Sequence, residues 1–266
     1  MITVEKGQLQ YLTSELLSQT PHCFSTRFGG VSEGHLASLN LGTHRGDDPE
    51  NVRKNYAILG QAVGFRPEDT VFTKQIHSDI VEKIDESHRG RGLLREAAEG
   101  CDALITNCPN VALTVFSADC TPILFYDPVA QAIGAAHAGW RGTAAGIAAK
   151  TVRSMVTAYG SQPENIRVAI GPCISQCCFE THKDVPEAML RALGAEAEAY
   201  IHPCGEKYHV NLKGLNALWL QKAGVRHIDI AEECTACEPQ RFWSHRKVGD
   251  RRGSLAAIIV LGGNAT

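Results

Sequence analysis

Ser117-Ala118-Asp119-Cys120-Thr121-Pro122-Ile123-Leu124-Phe125-Tyr126-Asp127-Pro128-Val129-Ala130-Gln131-Ala132-Ile133-Gly134-Ala135-Ala136-His137 reads as two strand-length apolar runs joined by an Asp127-Pro128-Val129-Ala130 turn. Asp and Pro favour chain reversal there: the carboxylate can accept amides further along, and the proline ring fixes φ. A hairpin is therefore expected. If Asp127 and Ala130 close the turn, Cys120 falls directly opposite His137 on one face of the pair. Opposed side chains stand about 5 Å apart at Cβ, so one ion could take a thiolate at about 2.3 Å and an imidazole at about 2.0 Å. Pro122 cannot donate to the ladder and weakens the pairing near Cys120. In a regular strand the Asp119 carboxylate would point to the opposite face.

Immediately after the hairpin, Ala138-Gly139-Trp140-Arg141-Gly142 leads into a helical pattern over 143–159 that stops at Gly160. Free amides at a helix start, with Arg141 beside them, suit an anion. Thr26-Arg27-Phe28-Gly29-Gly30-Val31-Ser32 is a second such element, since adjacent glycines let the backbone wrap an anion and Arg27 offers a fork of donors. Another helix is marked by Asp48 as N-cap, Pro49 in the first position, Val52, Tyr56, Leu59 and Val63 on one face, and Gly64 as terminator. Asn211 caps a third, with Leu212, Leu215, Leu218 and Trp219 inward and Gly224 beyond it, and a shorter helix precedes Gly194. Strand-like apolar runs occupy 111–116, 123–126, 132–136, 167–170, 225–230 and 255–261. Interspersed strands and helices give an α+β class. With no repeat and no linker rich in Pro, Gly or Ser, residues 1–266 are expected to form a single domain.

Lys and Arg total 26 against 29 Asp and Glu, a net charge of -3, so the global positive field needed to bind a phosphate backbone is missing and nucleic acid is not an expected partner. The segment from Met1 to Gln8 has no apolar stretch behind a basic start, and no apolar run has the length of a membrane span. A cytoplasmic setting is expected, in which the ten cysteines are thiols or metal ligands rather than disulfides. Cys173, Cys177 and Cys178 cluster in sequence, and Cys234 and Cys237 form a lone CxxC. They could make a structural zinc site, but two ligand pairs without a zinc-knuckle strand pattern read as core thiols.

On residue types alone, Cys120 could be a small buried hydrophobe and His137 a satisfied core imidazole. A metal-free hydrolase, with Cys120 as nucleophile and His137 as base, also fits the hairpin. Two histidines and a cysteine also form the blue-copper ligand set, which admits a copper oxidase.

Several segments narrow these alternatives: Thr26-Arg-Phe-Gly-Gly-Val-Ser32, Ser38-Leu-Asn-Leu-Gly42, Gln75-Ile-His77, Cys101-Asp-Ala-Leu-Ile-Thr106, Ala118-Asp-Cys120, Ala136-His-Ala-Gly-Trp-Arg-Gly142 and Gly171-Pro-Cys-Ile174. From Ser25 almost to the C-terminus the chain resembles the YfiH-like laccase-domain family, purine nucleoside phosphorylases also named peptidoglycan editing factors and formerly polyphenol oxidases. The resemblance implies a four-layer αββα sandwich with mixed sheets. It places His77, Cys120 and His137 on the family's zinc ligands, copper being the alternative metal. It implies phosphorolysis of adenosine, inosine and methylthioadenosine to a base and ribose 1-phosphate, with adenosine deamination as another family activity. His77, Cys120 and His137 are then the catalytic group. Arg27, Arg141 and Arg246, from their glycine-rich or motif context, and Asn40 in the Ser38–Gly42 segment are the candidates for binding substrate and phosphate. Where the family carries a Phe-Ser-Tyr-Arg type segment this chain has Trp243-Ser244-His245-Arg246, so no aromatic hydroxyl is carried over to position 245.

Overall fold

Strands Ala132–Ala138 and Thr121–Asp127 are buried at every position, which requires packing on both faces of the sheet that holds them. The computed structural model, describing residues 1–98 and 100–262, supplies both covers. Their sheet runs His227–Ile230, Arg167–Ile170, Thr121–Asp127, Ala132–Ala138, Ala103–Thr106, Val81–Lys83, antiparallel at its centre and parallel at both edges. A second six-stranded sheet runs Ile2–Lys6, Leu9–Thr13, His22–Ser25, Leu255–Val260, Ala112–Ser117, Thr70–Val71, and only its last pair is parallel.

The facing surfaces of the two sheets share one core, with Leu12, Leu113, Val115 and Ile259 meeting Leu104, Leu124, Ile133 and Ala135. On the outside of one sheet lies helix Pro49–Val63, whose Val52, Tyr56 and Leu59 pack on Ala112, Ala256 and Ile258. On the outside of the other lie helices Ile147–Tyr159 and Leu212–Lys222, with Val152, Met155 and Leu220 against Ile105, Phe125 and Val168. Helix, sheet, sheet, helix is the expected four-layer sandwich. A smaller cluster joins helix Asp184–Leu193 to Leu212, Leu215 and Val210 of a three-stranded sheet and its following helix.

The local signals hold at the first helix, where the Asp48 carboxylate accepts from the Glu50 amide and Gly64 ends the helix at φ 106°. Asn211 likewise accepts from the Gly214 amide at 3.0 Å. The 143–159 pattern differs from expectation: it divides into Trp140–Ala144 and Ile147–Tyr159, broken at Gly146 with φ 75°. Among the described residues no helix is long and apolar enough to cross a membrane.

Candidate metal centre

His137 occupies the penultimate position of strand Ala132–Ala138, yet Cys120 is not its cross-strand partner. The ladder closes at Asp127 and Ala132, which puts Pro122 opposite His137 and leaves Cys120 before the strand begins. The turn is the reason. The Asp127 carboxylate accepts from the amides of Val129 (2.9 Å) and Ala130 (3.0 Å), but reversal is completed only at Gln131, which takes φ 49°. The loop is thus two residues longer than the sequence reading assumed. Pro122 is tolerated because the His137 amide donates instead to the Asp102 carbonyl, at 2.7 Å. A bend brings Cys120 back: Asp119 adopts φ 94°, and its carboxylate accepts from Thr235 Oγ1 (2.6 Å) and from the Arg246 amide (2.6 Å).

His77 arrives from a loop and sits at φ 60°, in the left-handed region that a side chain enters only when its surroundings hold it there. The holder is Asp102, just before strand Ala103–Thr106. Its carboxylate accepts from the amides of Ile76 (3.2 Å), His77 (3.0 Å) and Ser78 (2.7 Å) and from the Ser78 hydroxyl (2.7 Å). The same carboxylate accepts from Nδ1–H of His137 at 2.8 Å, which fixes the ring and turns Nε2 to the centre, where loss of its proton exposes a lone pair. One buried acid thus positions two imidazoles. Burial works against the Asp102 charge, but the bonds from His137 and Ser78 hold the carboxyl down at about 2. Burial also opposes a charged His137, and the neighbouring Cys120 sulfur and Asp102 outweigh it, raising the ring to about 9. His77 is lowered, first by burial and then by His137.

Donor atoms of His77, Cys120 and His137 lie within 4.8 Å of one another, and the two rings meet edge to face with centroids 4.9 Å apart. Gly139 leaves the room for this convergence. A Cβ there would stand 2.4 Å from Nδ1 of His77 and 3.3 Å from the Cys120 sulfur. Two imidazoles and one thiolate can hold a metal ion in three of four tetrahedral positions.

The triad forms part of the wall of a cavity of about 290 Å³. Phe72 and Phe116, edge to face at 4.8 Å, line another part, and Arg45, Lys74 and Arg252 add positive charge. Burial, reinforced by Arg45, lowers Arg252 to about 10. Gln75 clamps the Phe116 backbone, accepting from its amide at 2.6 Å and donating to its carbonyl at 2.9 Å.

The expected phosphate groups lie elsewhere. Arg27 lies over the Trp243 ring at 3.7 Å and donates to the carbonyls of Ala37 and Pro239. Arg246 donates to the carbonyls of Cys178 (2.9 Å) and Glu180 (3.1 Å). Asn40 is fully buried, donating to Asp47 and accepting from the amides of Gly42 and Ser254. Arg141 stacks on Trp140 at 4.2 Å and is near enough to His77 to disfavour its charge. None of the four lines the cavity. In Arg27, Arg246 and Asn40 the polar atoms bond to backbone carbonyls, to Asp47 and to neighbouring amides. Missing from the sequence reading were Asp102, Arg45, Lys74 and Arg252. Asp102 stands inside the Cys101–Thr106 segment, while the three cations carry no glycine-rich signature. The core-thiol expectation fails for Cys177 and Cys237, which are exposed.

The sequence profile of the family described as "Multi-copper polyphenol oxidoreductase laccase" matches residues 21–262. Purine nucleoside phosphorylase YlmD of Geobacillus stearothermophilus is 39% identical over 240 residues, covering 88% of each chain. Purine nucleoside phosphorylase YfiH of Escherichia coli is 36% identical over 240 residues, covering 90% of this chain and 93% of its own. The crystal structure of YlmD from Geobacillus stearothermophilus superposes with a TM-score of 0.93 at 35% identity, covering 98% of this chain and 99% of that one. With the profile spanning nearly the whole sequence and the sandwich reproduced in a solved relative, the chain belongs to this laccase-domain family.

Proposed function

We propose that this chain is a zinc-dependent purine nucleoside phosphorylase, converting adenosine, inosine or methylthioadenosine plus phosphate into the free base and a ribose 1-phosphate. The carrying observation is the convergence of His77, Cys120 and His137 at the wall of a cavity that also holds Arg45, Lys74 and Arg252. Relatives aligned over about nine-tenths of the chain bear the phosphorylase name, which supports the substrate class. A cavity of about 290 Å³ falls just under the range of small-molecule sites, roughly 300–1,000 Å³. None of the ten cysteines is paired in a disulfide, which supports a reducing, cytoplasmic setting.

Zinc fits the donor set, and when bound it supplies a Lewis acid at the cavity wall. Copper fits less well, because an oxygen-reducing copper cluster is built from several more histidines, and among the described residues this is the one His-bearing donor cluster. Asp102 keeps the proton on Nδ1 of His137 and so keeps Nε2 aimed at the centre. The three cations bind phosphate and align one of its oxygens with the ribose C1′. That oxygen bonds to C1′ as the glycosidic C–N bond breaks; the electron pair leaves with the purine, which takes up a proton. Phe72 and Phe116 offer apolar surface to the base. Adenosine deamination is the second activity of this reading: water adds at C6 and ammonia departs, giving inosine.

Chromatography of adenosine reactions with and without phosphate tests this reading. Adenine and ribose 1-phosphate should form only with phosphate, and His77→Ala should abolish turnover. Arg252→Ala should raise the KM for phosphate about tenfold or more, as expected for loss of a charge-assisted bond of about 1.5–3 kcal/mol. Adenine release without phosphate, or a fully active His77→Ala, would sink the proposal.

A further inference from the structure

Two turns distant in sequence bring four sulfur atoms together outside the site described above. In one, the amides of Cys178 and Phe179 donate to the Ser175 carbonyl at 2.9 and 3.0 Å, setting Cys177 and Cys178 on a tight bend. In the other, the amides of Cys237 and Glu238 donate to the Cys234 carbonyl, each at 3.1 Å. All four sulfurs lie within 4.8 Å of one another. Cys177 and Cys178 are separated by 3.8 Å, Cys177 and Cys237 by 3.5 Å, and Cys178 and Cys237 by 3.4 Å. Four thiolates at about 2.3 Å from one zinc ion define a tetrahedron with edges of about 3.8 Å. A disulfide would instead draw one pair to about 2.05 Å. Hydrophobic packing does not account for the group, since Cys177 and Cys237 are exposed and only Cys234 is buried. The Ser175 amide donates to the Cys234 sulfur at 3.3 Å, with the amides of Cys237 and Ala236 directed at the same atom, an arrangement that favours a thiolate.

We infer that Cys177, Cys178, Cys234 and Cys237 bind a second zinc ion as four thiolates, separate from the His77, Cys120 and His137 centre. Four protein ligands close the coordination shell, so the ion is structural and takes no substrate. It ties together the ends of the segment that carries helices Asp184–Leu193 and Leu212–Lys222. It also braces the bend beneath Cys120: the Ile174 amide donates to the Asp119 carbonyl at 2.9 Å, and Thr235 holds the Asp119 carboxylate.

Metal analysis of the full chain, purified without added zinc, should find two zinc ions per chain. Cys177→Ser with Cys237→Ser should keep one, and His77→Ala should keep the other. Should the double serine variant fail to fold, X-ray absorption on the His77→Ala protein decides, with a shell of four sulfurs at about 2.3 Å and no nitrogen expected. A wild-type chain holding one zinc that departs with His77→Ala overturns the assignment, as does a nitrogen-bearing shell or iron in place of zinc. Alkylation of chelator-treated, unfolded, unreduced protein should modify all ten cysteines. A shortfall of two or four would reveal disulfides and overturn the zinc site.

Discussion

Asp102 accepts five hydrogen bonds, from three successive amides, the Ser78 hydroxyl and the His137 ring. Asp102→Asn keeps the shape but replaces one acceptor oxygen with a donor, so at least one facing N–H loses its partner and His137 loses its anionic neighbour. Zinc affinity at this centre is expected to fall 10–100-fold, read by competition with a chromophoric chelator. An affinity within twofold of wild type would remove Asp102 from its organising role. Gly139→Ala makes a complementary case. Its φ of −65° suits any residue, so the backbone is unstrained, but the new Cβ would overlap Nδ1 of His77. The variant should fold with near wild-type thermal stability when metal-free and yet fail to retain zinc at this centre; two zinc ions per chain after dialysis would contradict the close approach. At this scale the triad was legible only through the family resemblance. The residue-level case for Cys120 and His137 assumed a register that the turn does not adopt, and Asp102 gains its importance from donors some 25 and 35 positions away.

Elements marked by local chemistry were readable, while those shaped by neighbours were not. The Asp48, Pro49 and Gly64 signals act within a few residues of themselves and delimit helix Pro49–Val63 as expected. The break at Gly146 has no such local mark, because the apolar periodicity runs straight through it. The cause is tertiary: Trp219 Nε1 donates to the Thr143 carbonyl at 2.8 Å, and Asn216 donates to the Thr143 hydroxyl at 2.9 Å. The Gly146 amide donates to that same Thr143 carbonyl, closing the short helix. Gly146→Ala decides between the two geometries by sign. In a continuous helix alanine would stabilise by about 1 kcal/mol. At φ 75°, with a Cβ 3.3 Å from the Trp219 ring, it should instead destabilise by about 1–2 kcal/mol. The urea unfolding midpoint reports the sign, and an increase would mean that the helix is unbroken.

At the scale of the whole molecule, the α+β class could be read from interspersed patterns, but the order of strands could not. Strands such as Thr121–Asp127 are buried on both faces and lack the alternation that would show which side meets the core. Leu255–Val260, near the end of the chain, is inserted between His22–Ser25 and Ala112–Ser117, a pairing no local feature announces. Leu255 and Ile259 of this late strand belong to the core shared by the two sheets. His137 is buried beside Asp102 only in the folded chain, so its protonation is linked to global stability. In metal-free protein His137 is raised from its ordinary 6.5 to about 9. Its contribution to stability is therefore complete below about 6.5 and is lost as pH rises through about 9. Asp102, lowered to about 2, contributes above its ordinary 3.8 and loses that contribution only as pH falls through about 2, outside this window. His77, already lowered by burial and His137, adds little to the slope above 6.5. Zinc needs the unprotonated Nε2 of His137, so binding displaces a proton below about 9 and its stabilisation grows with pH. The unfolding temperature of zinc-loaded protein minus that of metal-free protein should thus widen between pH 6.5 and 9, as measured by scanning calorimetry. The share of the widening that belongs to this centre should be lost in His77→Ala, leaving only what the four-cysteine site contributes; a gap that stays constant in the wild type would mean that the His137 proton is not exchanged for the metal.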